Sequence, residues 1–162
     1  VLENHSAHSV IGDPNTPYIT SLAQQYGEAA NYFGVTHPSE PNYIAMTSGS
    51  NWFTNNDNPA NRFDHTNVVD TLEAAHISWD AYMEALPPNP LDDFWPSSTN
   101  PLYASKHNPF VWFHSLIDQP SCKTRVLPLT GLGADLQSIQ TTPKSGSPPR
   151  RSSSAETTWN PQ

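Results

Sequence analysis

The stretch Thr36–Gly49 holds the residue types and spacing best suited to chemistry. An aromatic, β-prone segment (residues 30–35) precedes it, and a short apolar segment (residues 43–46) leads to Gly49. These patterns predict a strand, a turn and a helix, with Ser39 at the point where the helix begins. A hydroxyl there would lie beside the unpaired N–H groups at the positive end of the helix dipole, a place that suits phosphate.

Ser39 also has a purely structural interpretation. A serine at the start of a helix commonly caps it, and Pro41 falls in the first turn, where proline is favoured. Because capping serines are common and nucleophilic ones are rare, this stretch by itself favours the cap.

Two strand–helix–strand units are predicted around this stretch. In the first, Val1-Leu2 ends a buried strand, Thr16-Pro17 begins a helix, and residues 30–35 form the next strand. Apolar residues at spacings of three and four predict that this helix packs on a sheet. They are Ile19, Leu22, Ala23, Tyr26 and Ala30.

The second unit begins with Thr66, which is predicted to cap a helix, and ends with a strand over residues 77–83. The helix carries a predicted buried stripe of Val68, Val69, Leu72 and Ala75. Residues 110–113 are apolar enough to be buried, and residues 131–139 predict one more helix. The expected fold class is therefore α/β, with a mostly parallel sheet and crossover helices.

Composition excludes some function classes. The formal net charge is −8 with only 7 Lys+Arg, which argues against a nucleic-acid partner. No apolar run approaches the roughly 20 residues of a transmembrane helix. A single cysteine, Cys122, excludes an internal disulfide. The chain begins at Val1 without methionine, which favours a processed product or fragment, and its low lysine content favours a secreted or extracytoplasmic location.

The composition changes abruptly at Thr141. Residues 143–154 are rich in Ser, Pro and Arg and contain no apolar residue to bury, so they are predicted to be disordered. The predicted organisation is thus one domain over residues 1–140 and a tail over residues 141–162.

Four pieces of the chain, taken in order, resemble a known family. They are Glu3–Ser6, Thr36–Tyr43, Ser78–Glu84 and Lys106–Phe110. Their order and spacing are similar to the phosphoesterase family of secreted acid phosphatases and phospholipase C enzymes, in the alkaline-phosphatase-like superfamily. The resemblance runs from the first residue to about residue 135. It implies part of a three-layer alkaline-phosphatase-like fold. It also favours the interpretation of Ser39 as a nucleophile over that of a helix cap.

The resemblance implies hydrolysis of phosphate esters through a phosphoserine. Ser39 matches the nucleophile, and Glu3 and Asn4 match positions that bind a divalent metal ion. His107 is similar to a histidine of the family's site, where it would donate to a phosphate oxygen or protonate the leaving group. The implied partners are phosphorylated small molecules or phospholipids.

Three further residues are predicted near the phosphate, each with an alternative. Asn42 lies on the same side of the first helical turn as Ser39, so its amide would hold a phosphoryl oxygen in catalysis, although asparagine more often only hydrogen-bonds a helix end. Lys106 would add positive charge to substrate binding, or is simply solvated. His37 would contact substrate, or point into the core.

The chain departs from the family beyond Thr141–Pro143. The resemblance implies further acidic and histidine metal ligands after this point, where the Ser/Pro/Arg-rich tail stands instead. We therefore expect little activity from this chain alone and an exposed sheet edge. The competing hypothesis is a non-catalytic secreted protein that binds glycans or phosphorylated ligands. Its glycan surface would use four tryptophans: Trp52, Trp79, Trp95 and Trp112.

Overall fold

The computed structural model describes residues 5–141, except for the side chains of residues 121–123 and 139–141. The α-helices in this part of the chain are α1 (Pro17–Tyr26), α2 (Glu40–Ser48), α3 (Val68–Ala74), α4 (His114–Ile117), α5 (Pro120–Arg125) and α6 (Leu132–Thr141). The strands are β1 (Ala81–Met83) and β2 (Val126–Pro128). Single 3-10 turns occur at Ala7–Ser9, Ser105–His107, Pro109–Val111 and Leu129–Gly131.

The two strands form a parallel pair. Ala81 lies opposite Val126, and Met83 lies opposite Pro128. A parallel pair needs a long crossover, and here the chain between the strands includes α4 and α5. The predicted α/β class is therefore confirmed, with a parallel sheet that has two strands within residues 5–141.

One hydrophobic core holds these elements together. Its centre is the segment Val111–Phe113, in which every residue is at most 1% exposed. Phe63 pairs with Phe113 through a short parallel bridge, which attaches the long loop before α3 to the core. The other buried members are Ile44, Val69, Trp79, Ala81, Leu116 and Val126. Of the predicted buried segment 110–113, residues 111–113 are thus fully buried and Phe110 is half-buried.

The first strand–helix–strand prediction is wrong over residues 30–35. Tyr32, Phe33 and Val35 are exposed, and the segment forms no strand. An extended segment needs a neighbour for its N–H groups, whereas the Val35 N–H donates to the side chain of Asn42 instead. Helix α1 begins at Pro17 as predicted, but none of its residues is fully buried, and within residues 5–141 it does not pack on the sheet.

Helix α3 forms where it was predicted, but its cap is a different residue. Asn67 accepts from the backbone N–H groups of Val69 and Asp70, and the Asp70 carboxylate accepts from the Asn67 N–H. The prediction of Thr66 as the cap is therefore wrong. Of the predicted stripe only Val69 is fully buried. Asn67 is itself buried, and its amide is satisfied there by a further hydrogen bond that it donates to Ser115 of α4.

Two sequence predictions lie outside the described residues: the strand end at Val1-Leu2, and the disordered tail from residue 142 onward. Within residues 5–141, no helix combines the length and apolar character that a membrane-spanning segment requires.

Candidate active site

Ser39 directly precedes α2 and occupies its N-cap position. Its backbone is already helical, and its hydroxyl makes no capping hydrogen bond. At the other end of α2, Gly49 adopts the left-handed conformation (φ 79°) that the sequence predicts for a glycine after a helix. Ser39 thus occupies the predicted cap position, but its side chain does not cap the helix.

The N–H groups at the start of α2 are engaged, contrary to the sequence-based picture of unpaired donors. The Glu40 N–H donates to Oδ1 of Asp57 at 2.8 Å. Pro41 has no N–H, and the Asn42 N–H donates to the Ser39 carbonyl at 3.0 Å. The cap of α2 is thus a carboxylate from the 50–65 loop, and a phosphate near Ser39 must find other donors.

The side chain of Asn42 holds the loop that leads into Ser39. Its Oδ1 accepts from the N–H groups of Val35 and Thr36, at 2.7 and 3.2 Å. Its Nδ2 donates to the carbonyls of Thr36 and Pro38, at 2.7 and 2.9 Å. In this structure the amide of Asn42 therefore serves the backbone, and its predicted contact with a phosphoryl oxygen stays a prediction.

Ser39 lies on the wall of an open hollow of about 680 Å³. Its lining residues are His5, Ser6, Gly34, Thr36, His37, Pro38, Ser39, Asn42, Tyr43 and Met46. His37 is exposed on this wall, so of its two predicted orientations the structure shows the one toward the hollow. The imidazoles of His5 and His37 and the hydroxyl of Ser39 therefore line a space that an anionic ligand could enter.

His107 occupies a neighbouring position. Its ring stacks on Tyr43 with 5.2 Å between ring centroids. It lines a second hollow of about 580 Å³, and Tyr43 and Met46 form the wall between this hollow and that of Ser39. Helix α2 thus supplies both the hydroxyl and the ring against which His107 packs.

Lys106 is a buried partner in an ion pair. Its Nζ lies 2.9 Å from Oδ2 of Asp57, with the two side chains only 7% and 3% exposed. The same ammonium group lies 3.1 Å from the ring centroid of Trp95. The alternative of a solvated lysine is therefore wrong, and Lys106 is not among the residues that line the hollow around Ser39.

Glu40 is fully buried next to Ser39. Its Oε1 accepts from the amide of Asn61 at 2.8 Å, whereas its Oε2 is buried without a hydrogen bond to any described residue. Burial raises the pKa of Glu40 to about 7, and the nearby charge of Asp57 adds to this effect. The hydrogen bond from Asn61 acts in the opposite direction. At acid pH Glu40 is therefore a neutral carboxylic acid, the form that burial favours over the charged carboxylate.

The predicted metal ligands, Glu3 and Asn4, lie outside the described residues. Within residues 5–141, no three His, Cys, Asp or Glu side chains cluster as a metal site requires. His5, which directly follows Asn4 in the chain, lines the hollow of Ser39. The described residues thus contribute oxygen and nitrogen donors near Ser39, although they do not form a complete metal site.

Sequence reasoning missed Asp57 and the burial of Glu40. Asp57 belongs to a loop rich in Asn, Asp and Pro, where one more aspartate carries no distinguishing signal. Its two contacts are to residues 17 and 49 positions away. The only available cue was Lys106, a rare cation in an acidic chain that needs a partner when buried.

The tryptophans do not form the surface that glycan binding would need. Trp112 and Trp79 are only 1% and 8% exposed and belong to the core. Trp95 has Lys106 against its ring, and Trp52 stacks on His65 with 3.6 Å between centroids. These contacts remove the support for a glycan-binding surface of four tryptophans.

The fold and this site define an α/β protein with a serine at a helix start beside an open, histidine-lined hollow. Comparison with protein families agrees with this description, because the model of the Phosphoesterase family matches residues 5–137. The chain belongs to the Phosphoesterase family.

Several characterised proteins are similar in sequence. The chain is 34% identical to the phosphate-repressible acid phosphatase of Penicillium chrysogenum over 72% of this chain and 28% of the relative. It is 33% identical to an acid phosphatase of Aspergillus fumigatus over 83% of this chain and 30% of the relative. It is 35% identical to the phosphatidylinositol-3-phosphatase of Mycobacterium tuberculosis over 72% of this chain and 38% of the relative.

The chain thus spans between 28% and 38% of the length of these three relatives. No solved structure matches the chain.

Proposed function

We propose that this chain is the nucleophile-bearing part of a metal-dependent phosphoric ester hydrolase of the acid phosphatase type. The observation that carries the proposal is Ser39, whose hydroxyl makes no capping bond and lies on the wall of the open hollow. Membership of the Phosphoesterase family and the similarity to acid phosphatases support it.

The proposed reaction proceeds in two displacements. The Ser39 hydroxyl gives its proton to solvent as its Oγ attacks phosphorus, and the bond from phosphorus to the alcohol oxygen breaks. The alcohol leaves with a proton from a general acid, a role that the family resemblance gives to His107, which lies beyond Tyr43 in the neighbouring hollow. Water then cleaves the phosphoserine, which releases inorganic phosphate and restores the hydroxyl. His37, exposed on the wall of the hollow, contacts the phosphoryl oxygens in this scheme.

Positive charge at the phosphate is the main requirement for this chemistry. Asp57 already takes up the Glu40 N–H and the charge of Lys106, so neither is available to the phosphate. This supports a divalent metal ion held by Glu3 and Asn4, with further ligands beyond the described residues. When bound, the ion would supply the charge that activates the hydroxyl and offsets that of the phosphoryl group.

The substrate class in this proposal is a phosphorylated small molecule or a phospholipid headgroup. The acid phosphatases support the first, and the similarity to a phosphatidylinositol-3-phosphatase supports the second. The composition supports a secreted or extracytoplasmic location.

The test is covalent labelling of Ser39. The chain is incubated at acid pH with a divalent metal series and ³²P-labelled p-nitrophenyl phosphate, quenched in acid, and digested for peptide mapping. We expect label on Ser39 and none in Ser39→Ala, with slow turnover because residues 5–141 do not by themselves form a metal site. Ser48→Ala, which changes a serine at the other end of α2, is the matched control. Label or turnover that persists in Ser39→Ala would contradict the proposal.

A further inference from the structure

Two observations at the start of α2 explain each other. Ser39 stands where a serine normally caps a helix, yet its hydroxyl makes no capping bond. The N–H that needs a cap, that of Glu40, is instead satisfied by Asp57 at 2.8 Å. Asp57, 17 positions after Glu40 in the chain, thus caps the helix in place of Ser39.

The same carboxylate reaches the segment that carries His107. Its second oxygen lies 2.9 Å from the Nζ of Lys106, in the 3-10 turn Ser105–His107. Both side chains are almost fully buried, so water weakens this pair little. Asp57 therefore joins the start of α2 to the turn that ends at His107.

A second contact joins the same two elements. His107 stacks on Tyr43, which lies one helical turn after Ser39. Two contacts fix the relative position of two elements better than one, because a single contact still permits rotation about itself. These two contacts therefore fix the position of Ser39 relative to His107.

We propose that Asp57 is a positioning residue of the Ser39 site: it caps α2 in place of Ser39, which leaves the hydroxyl free to react, and it fixes the turn that carries His107. This inference rests on the proposed function, since it assigns Ser39 and His107 the roles given above. Loss of the acceptor at position 57 leaves the Glu40 N–H without its cap. The Ser39 hydroxyl then turns from the hollow toward the N–H groups at the start of α2, where it competes for capping.

The test compares two double variants that differ only in that acceptor. Asp57→Asn with Lys106→Met keeps a side-chain oxygen for the Glu40 N–H and leaves no unpaired buried cation. Asp57→Ala with Lys106→Met removes the oxygen as well. The readouts are the rate of ³²P labelling of Ser39 from p-nitrophenyl phosphate, the dependence of that rate on substrate concentration, and amide exchange at Glu40.

We expect the Ala double variant to label Ser39 at least about tenfold more slowly than the Asn double variant, a factor equal to about 1.4 kcal/mol in activation free energy. Half-saturation by substrate should change little, since Asp57 does not line the hollow. Amide exchange at Glu40 should be faster only in the Ala double variant. Equal labelling rates in the two double variants would overturn the role of Asp57.

The two proposals fail in different ways. A wild-type chain that takes no label contradicts the proposed function, and the role of Asp57 is then lost with it. A wild-type chain that is labelled on Ser39, together with equal rates in the double variants, contradicts the role of Asp57 alone. If the Ala double variant does not fold, Asp57→Ser with Lys106→Met replaces it in the comparison, because the shorter serine side chain keeps an oxygen but holds it farther from the Glu40 N–H.

Discussion

Asn61 donates a hydrogen bond to one carboxyl oxygen of Glu40 at 2.8 Å, and the other oxygen of Glu40 is buried without a partner among the described residues. Glu40 is the residue that follows Ser39, and it is fully buried. A carboxyl in this position is tolerated best when it is neutral.

The stability of the fold should therefore fall as the pH rises. Burial raises the pKa of Glu40 from 4.5 to about 7, so the folded state binds a proton that the unfolded state has lost. The stabilisation is fully present below about pH 4.5 and is lost as the pH rises through about 7. The loss is on the order of 3 kcal/mol in the free energy of unfolding.

Glu40→Gln should remove much of this dependence, because glutamine resembles the protonated acid. Urea unfolding at several pH values between 4.5 and 7.5 would measure it, with Glu28→Gln, a change of an exposed glutamate, as the matched control. Stability curves of Glu40→Gln and wild type that run parallel across this range would show that Glu40 does not titrate in the fold.

Two neighbouring substitutions test the cap of α3. Asn67→Ala should lower the free energy of unfolding by about 1–2 kcal/mol, because the buried amide caps the helix and also bonds Ser115. Thr66→Ala changes the exposed residue that the sequence pattern favoured, and it should have an effect within about 0.5 kcal/mol. Chemical denaturation measures both changes. A larger loss of unfolding free energy from Thr66→Ala than from Asn67→Ala would show that Thr66 is the cap.

Two glycine-to-alanine substitutions should have opposite effects on the stability of the fold. A Cβ at Gly34 would lie 3.0 Å from Oδ1 of Asn42, so Gly34→Ala should displace this amide and loosen the loop before Ser39. A Cβ at Gly133 of α6 meets nothing within 4 Å. Gly133→Ala should therefore stabilise the helix by about 0.5–1 kcal/mol. Thermal melting compares them, and an equal or stabilising effect at Gly34 would contradict the tight contact.

An ultraviolet pH titration tests the contact between Tyr82 and α6. The Tyr82 hydroxyl donates to Oδ2 of Asp135 at 2.6 Å, and this hydrogen bond raises the pKa of the phenol to about 12. Asp135→Asn should bring the pKa back toward 10. Asp80→Asn is the matched control with a smaller effect, since Asp80 contributes least to the shift. A tyrosine titration that Asp135→Asn leaves unchanged would contradict the hydrogen bond.

The sequence was informative where a structure depends on local chemistry. Pro17 at a helix start and Gly49 after a helix end both lie where they were predicted, since each acts through its own backbone. The prediction of a strand over residues 30–35 is wrong because a strand requires a partner strand, and a local sequence pattern does not reveal one. The cap of α2 was missed for the same reason, since Asp57 comes from a distant loop.

Within the site, sequence reasoning placed Ser39 at the helix start, and the structure agrees. It did not foresee that Lys106 is neutralised or that the Asn42 amide is used by the backbone, because both depend on which groups meet after folding. The family resemblance was more informative than local pattern here, because it rests on four separated segments at once.

The pairing of Ala81 with Val126 has a kinetic consequence. Bringing these two strands together closes a long loop of chain, and the entropy of closure must be paid before the pair gains any hydrogen bond. The backbone hydrogen bonds within helices α2 and α3 join near neighbours, so these helices can begin to form while the strands are still apart. Pulsed hydrogen exchange during refolding should therefore protect the amides of α2 before those of β2, and the parallel pair should be the last element of the core to form.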